Sequence, residues 1–239
     1  MEFVAGGELW SRVAHERGNL ITEGDAIRVT RNVLSAIVYL HEHNIVHRDV
    51  KLENVLCIDP DLQKPVQVKL ADFGLCSRLS GMDESLKSSV GTLQYWAPEI
   101  IKERNYGASV DLWACGVLVY ISLSSQFPFS GEDEEEYCDS VLREEVEFPE
   151  DLWGNVSDDA KEFIRGLLSE DPTKRLTADE ALKHRWITEH PSLEIEEEEG
   201  SRAQSEEEEA FAVPKSIFGG KRRTPAQILA KVRSSHQGG

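Results

Sequence analysis

His47-Arg48-Asp49-Val50-Lys51-Leu52-Glu53-Asn54 and, after two short apolar runs, Asp72-Phe73-Gly74 form the stretch on which the reading of this chain turns. Together they place a carboxylate, a cation and two hard oxygen ligands suited to Mg²⁺ on loops at strand ends, where phosphoryl-transfer chemistry can be assembled. Ile45-Val46, Asn54 to Ile58 and the alternating Val66-Gln67-Val68-Lys69-Leu70 read as short strands, with Pro60, Asp61 and Pro65 marking a turn. The polar residues then lie between strand ends, as loop chemistry usually does.

Upstream, Met1 to Val4 is short, apolar and extended in character, and Gly6-Gly7 interrupts it before Glu8 opens a helical pattern through Leu9, Trp10 and Val13. Thr22 with Asp25 starts a second helix, whose Ala26, Val29, Val33, Ala36, Ile37 and Leu40 recur at helical spacing up to His41. Downstream, Gly74 to Gly91 is Ser-rich with little periodic hydrophobicity and is expected to be mobile. Val110 to Leu123 is apolar nearly all round with Asp111 near its start, which predicts a helix buried in a domain centre and ended by Phe127-Pro128-Phe129. Glu132 to Glu144 reads as an exposed acidic helix and Ser157 to Leu168 as an amphipathic one. Thr177 with Glu180 caps a last helix running through Ala181, Leu182 and Trp186. The expected architecture is mainly α with short β-hairpins, and the core ends near Ile187.

Glu194 to Glu199 and Glu206 to Glu209 are like-charge blocks that repel themselves, and Lys215, Lys221, Arg222, Arg223, Lys231 and Arg233 follow without acids. Residues 188–239 are therefore expected to be a disordered acidic-then-basic tail. The net charge of −18, from 26 basic and 44 acidic residues, argues against non-specific nucleic-acid binding, which needs a basic face. Cys57, Cys76, Cys115 and Cys138 show no C-x-x-C pairing, as for reduced thiols in the cytoplasm or nucleus. No apolar run approaches the ~20 residues needed to cross a bilayer, so no membrane association is expected.

Together, His47-Arg48-Asp49 with Asn54, Asp72-Phe73-Gly74 and Ala97-Pro98-Glu99 resemble the signature set of the eukaryotic protein kinase family, from roughly Met1 to Ile187. Phosphotransferases of small molecules share a related Asp and Asn arrangement but lack the Ala-Pro-Glu segment. The resemblance implies ATP and Mg²⁺ as cofactors and protein hydroxyls as acceptors. By resemblance, Asp49 orients the substrate hydroxyl and accepts its proton, Lys51 stabilises charge on the γ-phosphate, and Asn54 and Asp72 hold Mg²⁺. Gly74 is assigned the sharp turn that aims Asp72. Lys51, with Thr92 after Gly91, resembles the serine/threonine branch, although Leu52 replaces the Pro common at that position. Arg48 is typical of members switched on by activation-segment phosphorylation, which implies an upstream activating kinase. Ser88 is the first candidate, with Ser89 and Ser85 behind it, and a phosphate there would pair with Arg48. Asp111 is expected to hold the catalytic loop, Glu99 to pair with Arg175, and Phe73 and His47 to pack in a hydrophobic spine.

Glu2 to Val4 resembles the hinge that binds the adenine edge, with Met1 at the back of that pocket, Leu56 beneath the adenine and Glu8 near the ribose. Glu8 and Glu53 occupy places where basic-directed members bind substrate arginines, which suggests Arg N-terminal to the target residue; Ile121 replaces a further acid found in some of them. The catalytic loop, Gly91-Thr92, Leu118 to Phe129 and Arg175 to Trp186 look most like the calcium/calmodulin-dependent group. A basic segment with Ile217, Phe218, Ile228, Leu229 and Val232 is of the kind calmodulin or a pseudosubstrate site takes, but Gly219-Gly220 and Pro225 interrupt any helix and a plain basic tail is preferred. The family's glycine-rich loop, strand lysine and helix glutamate belong upstream of the hinge and do not occur in these residues. The expectation is a kinase-like fold comprising the hinge and large, C-terminal lobe without the N-terminal lobe, with a non-catalytic interaction module as the alternative.

Overall fold

The structure is a computed structural model, which describes residues 4–14, 21–61, 64–79, 86–143 and 145–190. After a turn at Ala5-Gly6 the chain enters α1 (Leu9–Ala14), then α2 (Glu23–Glu42) and the short strand β1 (Ile45–Val46). β2 (Val55–Cys57) pairs antiparallel with β3 (Val68–Leu70), and β4 (Ser77–Arg78) returns to pair with β1. The rest is helical: α3 (Pro98–Ile101), α4 (Ser109–Ser124), α5 (Glu134–Arg143), α6 (Glu150–Trp153), α7 (Asp158–Leu167), α8 (Ala178–Leu182) and α9 (Arg185–Thr188). The described chain is mostly helical with two small sheets.

α4 is the axis of the core. Every residue from Val110 to Ser124 is buried, as the all-round apolar sequence requires. Burying a side chain such as Leu118 or Ile121 contributes about 1.5–3 kcal/mol, and α2 and α7 both pack on this helix. Gly116 permits the close approach of α7, because a Cβ there would meet Leu167 Cβ at 2.9 Å. Trp113 stacks on Phe129 with ring centroids 5.8 Å apart, which fastens the chain just beyond the helix. α4 itself ends earlier than the Phe-Pro-Phe sequence suggests, with Ser125 in the left-handed region at φ 55°.

α2 begins at Thr22, whose hydroxyl accepts the Asp25 amide at 3.1 Å. Its stripe of Ala26, Ile27, Val29, Val33, Leu34, Ile37 and Leu40 is buried against α4, α8 and β3. The final helix expected from Thr177 to Trp186 is two helices. Thr177 and Glu180 do form a capping box, but α8 stops at Leu182, and the His184 ring caps a new turn by accepting the Trp186 amide at 3.2 Å. The break swings Trp186 into the core, where its Nε1 donates to Glu23 Oε1 at 2.7 Å.

The Ser-rich stretch is also more regular than its composition suggests. β4 pairs with β1, and Leu86 bridges Tyr106 through two backbone bonds of 2.8 and 3.0 Å. The expectation of a uniformly mobile segment from Gly74 to Gly91 overlooked these partners, one upstream and one downstream in sequence. Residues 80–85, and with them Ser85, lie outside the described residues, as do Met1, Glu2 and residues 191–239, which hold the charged tail.

Candidate active site

The site is built on a buried carboxylate. Asp111, in the first turn of α4 and 1% exposed, accepts the His47 amide and the Arg48 amide, each at 2.8 Å, and faces His41 Nε2 at 2.9 Å. A carboxylate already receiving two donors offers only acceptor capacity, so His41 Nε2 carries the proton of this third bond. These bonds hold Arg48 at φ 69°, a backbone conformation that costs a non-glycine residue about 1–3 kcal/mol. The turn directs the next residue, Asp49, onto Lys51, Asn54 and Thr92.

His47 is buried, and its ring links two loops: Nε2 lies 3.2 Å from the Ala71 carbonyl, and Nδ1 lies 3.3 Å from the Asp49 amide. A carbonyl only accepts and an amide N–H only donates, so the ring is neutral with its proton on Nε2. Burial lowers its pKa below the usual histidine value, with the Asp111 charge acting in opposition. Phe73 stands edge-on to this ring, centroids 5.3 Å apart, and is 40% exposed on its other side.

Around Asp49, itself 5% exposed, three polar side chains converge. Lys51 Nζ lies 3.0 Å from Oδ2 and donates to Thr92 Oγ1 at 2.8 Å, while the Thr92 hydroxyl donates to Asp49 Oδ1 at 3.0 Å. Asn54 Nδ2 donates to the Asp49 carbonyl at 2.8 Å and to Oδ2 at 3.0 Å. The carboxylate is thereby fixed in rotation, with a cation against one oxygen and a hydroxyl against the other.

Asn54 and Asp72 sit at adjacent strand ends. Asn54 immediately precedes β2, Asp72 follows β3, and the Ala71 amide donates to the Asn54 carbonyl at 2.8 Å. Asp72 is itself the left-handed residue, at φ 59°, and its carboxylate accepts the Gly74 amide at 3.2 Å. The turn expected from Gly74 is thus made two residues earlier: Gly74 does not have a positive φ, and its own Cβ position lies 3.0 Å from Asp72 Oδ1. Because Asn54 spends its NH₂ group on Asp49, its Oδ1 faces the other way. That oxygen and the Asp72 carboxylate are a donor set suited to Mg²⁺, which takes one or two protein oxygens and keeps water or phosphate in its other positions. Among the described residues no cluster of three or more His, Cys, Asp or Glu offers a softer or closed metal site.

Leu56 is half-buried and bridges Glu8, which brings the segment after Val4 alongside β2. Gly6 donates to the Cys57 carbonyl at 3.0 Å, and the Cys57 amide donates to the Gly7 carbonyl at 2.8 Å. Val4 is half-buried at the start of this segment, Glu53 is exposed, and Glu2 lies outside the described residues.

Arg48 extends away from the Asp49 cluster. Its Nε donates to the Leu75 carbonyl at 2.6 Å and its Nη1 to Ser88 Oγ at 3.0 Å; Ser89, the next residue, is half-buried. Further along, Arg175 forms a bidentate pair with Glu99 at 2.7 and 3.0 Å, both side chains being buried. Periodicity and motif reading missed Tyr106 and Trp96, which hold the 86–91 segment, Tyr106 from 18 residues beyond Ser88 and Trp96 from six beyond Val90. The Asn105-Tyr106-Gly107 sequence looks like an ordinary turn and carries no local signal of its partner.

The family model described as protein kinase domain matches residues 1–187. The chain belongs to the protein kinase domain family. This kinase domain is 40% identical over 190 residues to a probable myosin light chain kinase of Dictyostelium discoideum, covering 80% of this chain and 47% of that protein. It is 43% identical over 194 residues to calcium/calmodulin-dependent protein kinase type 1B of Rattus norvegicus, covering 81% and 55%, and 44% identical over 188 residues to the Homo sapiens protein of that name, covering 79% and 53%. The kinase domain is therefore of the serine/threonine, calcium/calmodulin-dependent-like kind. The chain spans about half the length of these curated relatives. Among the described residues no helix is long and apolar enough to cross a membrane.

Proposed function

We propose that the chain is a serine/threonine protein kinase that transfers the γ-phosphate of ATP to hydroxyls of protein substrates, and that its described residues are the hinge side and large, C-terminal lobe of that enzyme. The observation that carries the reading is the convergence of Lys51, Thr92 and Asn54 on the Asp49 carboxylate within 3.0 Å. In this reading a substrate hydroxyl approaches Asp49, which orients it and takes its proton as the new O–P bond forms and the bond to the ADP oxygen breaks. Lys51 stabilises the negative charge spread over the migrating group, and Thr92 holds Lys51 and Asp49 in register. Mg²⁺, held by Asn54 Oδ1 and the Asp72 carboxylate, would neutralise phosphate charge when bound. His47 and Asp111 keep the loop rigid, so little reorganisation accompanies the reaction.

Val4, with Glu2 outside the described residues, is assigned to the adenine edge, Leu56 to the adenine face and Glu8 to the ribose. Glu8 and Glu53 are assigned to Arg residues N-terminal to the target. Ser88 facing Arg48 supports regulation by an upstream kinase acting on this serine, with Ser89 next to it and Ser85 outside the described residues. The named relatives include calcium/calmodulin-dependent kinases, which supports calmodulin as a partner to be tested on the segment Val213 to Ser235. The free thiols of all four cysteines support a cytoplasmic or nuclear setting.

The test is to incubate the 239-residue chain with γ-labelled ATP, Mg²⁺ and basic peptides bearing a single Ser, Thr or Tyr. Label is expected on Ser and Thr, with a preference for upstream Arg that weakens in Glu8→Ala and Glu53→Ala. Label confined to Tyr, or absent from every peptide, would overturn the proposal.

A further inference from the structure

Residues 86–91 are fastened by a series of protein contacts. Leu86 pairs with Tyr106 through both backbone bonds, at 2.8 and 3.0 Å. The Tyr106 hydroxyl then donates to the Ser88 carbonyl, while Arg48 Nη1 donates to the Ser88 hydroxyl at 3.0 Å. Trp96 Nε1 donates to the Val90 carbonyl at 3.0 Å. Gly91 lies so close to the Arg48 carbonyl that a Cβ on it would come within 2.4 Å. None of these contacts needs a phosphate.

Tyr106 stands out because it holds the segment twice. It is 4% exposed, so its ring is fixed by the core, and it grips residues 86 and 88, which in an extended chain lie about 6.8 Å apart. Arg48 is also fixed beforehand, since its Nε is committed to the Leu75 carbonyl at 2.6 Å. With both partners held, the Ser88 hydroxyl is presented to the guanidinium by the backbone.

We infer that Tyr106 is a positioning residue that seats Ser88 on Arg48 before any phosphate is added, so that phosphorylation strengthens an existing contact. This rests on the reading of Ser88 as the regulatory serine given above. A phosphate on the seated hydroxyl adds charge and acceptor oxygens within reach of the same guanidinium, replacing a bond from the guanidinium to a neutral hydroxyl with an ion pair in which both partners are charged. Phenylalanine at position 106 keeps the ring and loses only the donor to the Ser88 carbonyl.

The test is hydrogen exchange on the full chain after phosphatase treatment, comparing wild type, Tyr106→Phe and Ser88→Ala. A peptide covering 86–92 is expected to be protected in the wild type and to exchange about tenfold faster in Tyr106→Phe, the size set by one lost hydrogen bond. Ser88→Ala, which keeps the carbonyl bond, should change it less, and a peptide from α4 should not change. In chains carrying phosphoserine at position 88, the second phosphate ionisation, about 6 for the free group, should titrate lower in the wild type than in Tyr106→Phe. A merely weakened fold would not shift that titration. Equal exchange in wild type and Tyr106→Phe, or protection that appears only with the phosphate, would overturn the inference. The exchange readout does not depend on activity: a chain that transfers no phosphate yet keeps the difference retains the positioning role while the kinase reading fails.

Discussion

Replacing Arg175 by methionine keeps most of the side chain's volume and removes every donor it holds. Four contacts are lost: the bidentate bonds to Glu99 at 2.7 and 3.0 Å, and those to the Ser109 carbonyl at 2.9 Å and the Ser169 carbonyl at 3.1 Å. The guanidinium also lies 5.2 Å from the centroid of the buried Trp113 ring. What remains is a carboxylate 6% exposed whose nearest remaining donor is the Ser109 hydroxyl, at 3.5 Å. Breaking a buried pair this way costs about 3–5 kcal/mol, because the surviving charge is left without compensation. In a domain of this size that lowers the thermal midpoint by roughly 6–20 °C. The assay is urea denaturation followed by far-ultraviolet circular dichroism, which should show a lower midpoint with an unchanged slope. A double variant, Arg175→Met with Glu99→Met, should recover part of the loss, since it removes the stranded carboxylate. An Arg175→Met protein within about 1 kcal/mol of wild type, or a double variant no better than the single, would refute the reasoning.

Gly91→Ala forces a methyl to 2.4 Å from the Arg48 carbonyl at a backbone φ of 98°. It should destabilise by more than about 1 kcal/mol, measured by urea midpoint, and protease cleavage should increase around 86–92. For His47, the folded pKa lies below the usual 6.5 while the unfolded chain titrates near it, so the unfolded state binds more protons as pH falls. Stability should therefore be fully present above about pH 6.5 and decline below it. His184, also shifted downward by burial, contributes with the same sign. A His47→Gln variant should show a shallower decline in denaturation midpoints measured across this range.

Much of the fold was legible because its strongest signals are local. The Thr22 and Thr177 caps, the all-apolar run of α4 and the stripe of α2 each act within a few residues, and the structure places helices there. What was not legible depends on partners far apart in the chain. The α8 to α9 break is held by Trp186 reaching Glu23, and the order within 86–91 by Tyr106, with Trp96 adding a nearer bond to Val90. The short helices α3 and α6 have only a turn each and no periodicity to display. At the site, the resemblance to the protein kinase signature set named the members of the Asp49 cluster, and the structure shows that their atoms meet. The assignment of a turn to Gly74 followed residue propensity. The left-handed residue is Asp72, a type that tolerates this conformation better than most and here turns its carboxylate onto the Gly74 amide.

The most direct test of the central claim is the rate of γ-phosphate transfer to a Ser peptide by the wild-type chain and by Asp49→Asn, with both proteins checked for the same unfolding midpoint. The asparagine keeps the shape but cannot take the hydroxyl proton, and the account predicts a loss of at least about 100-fold. Equal rates in the two folded proteins would contradict it.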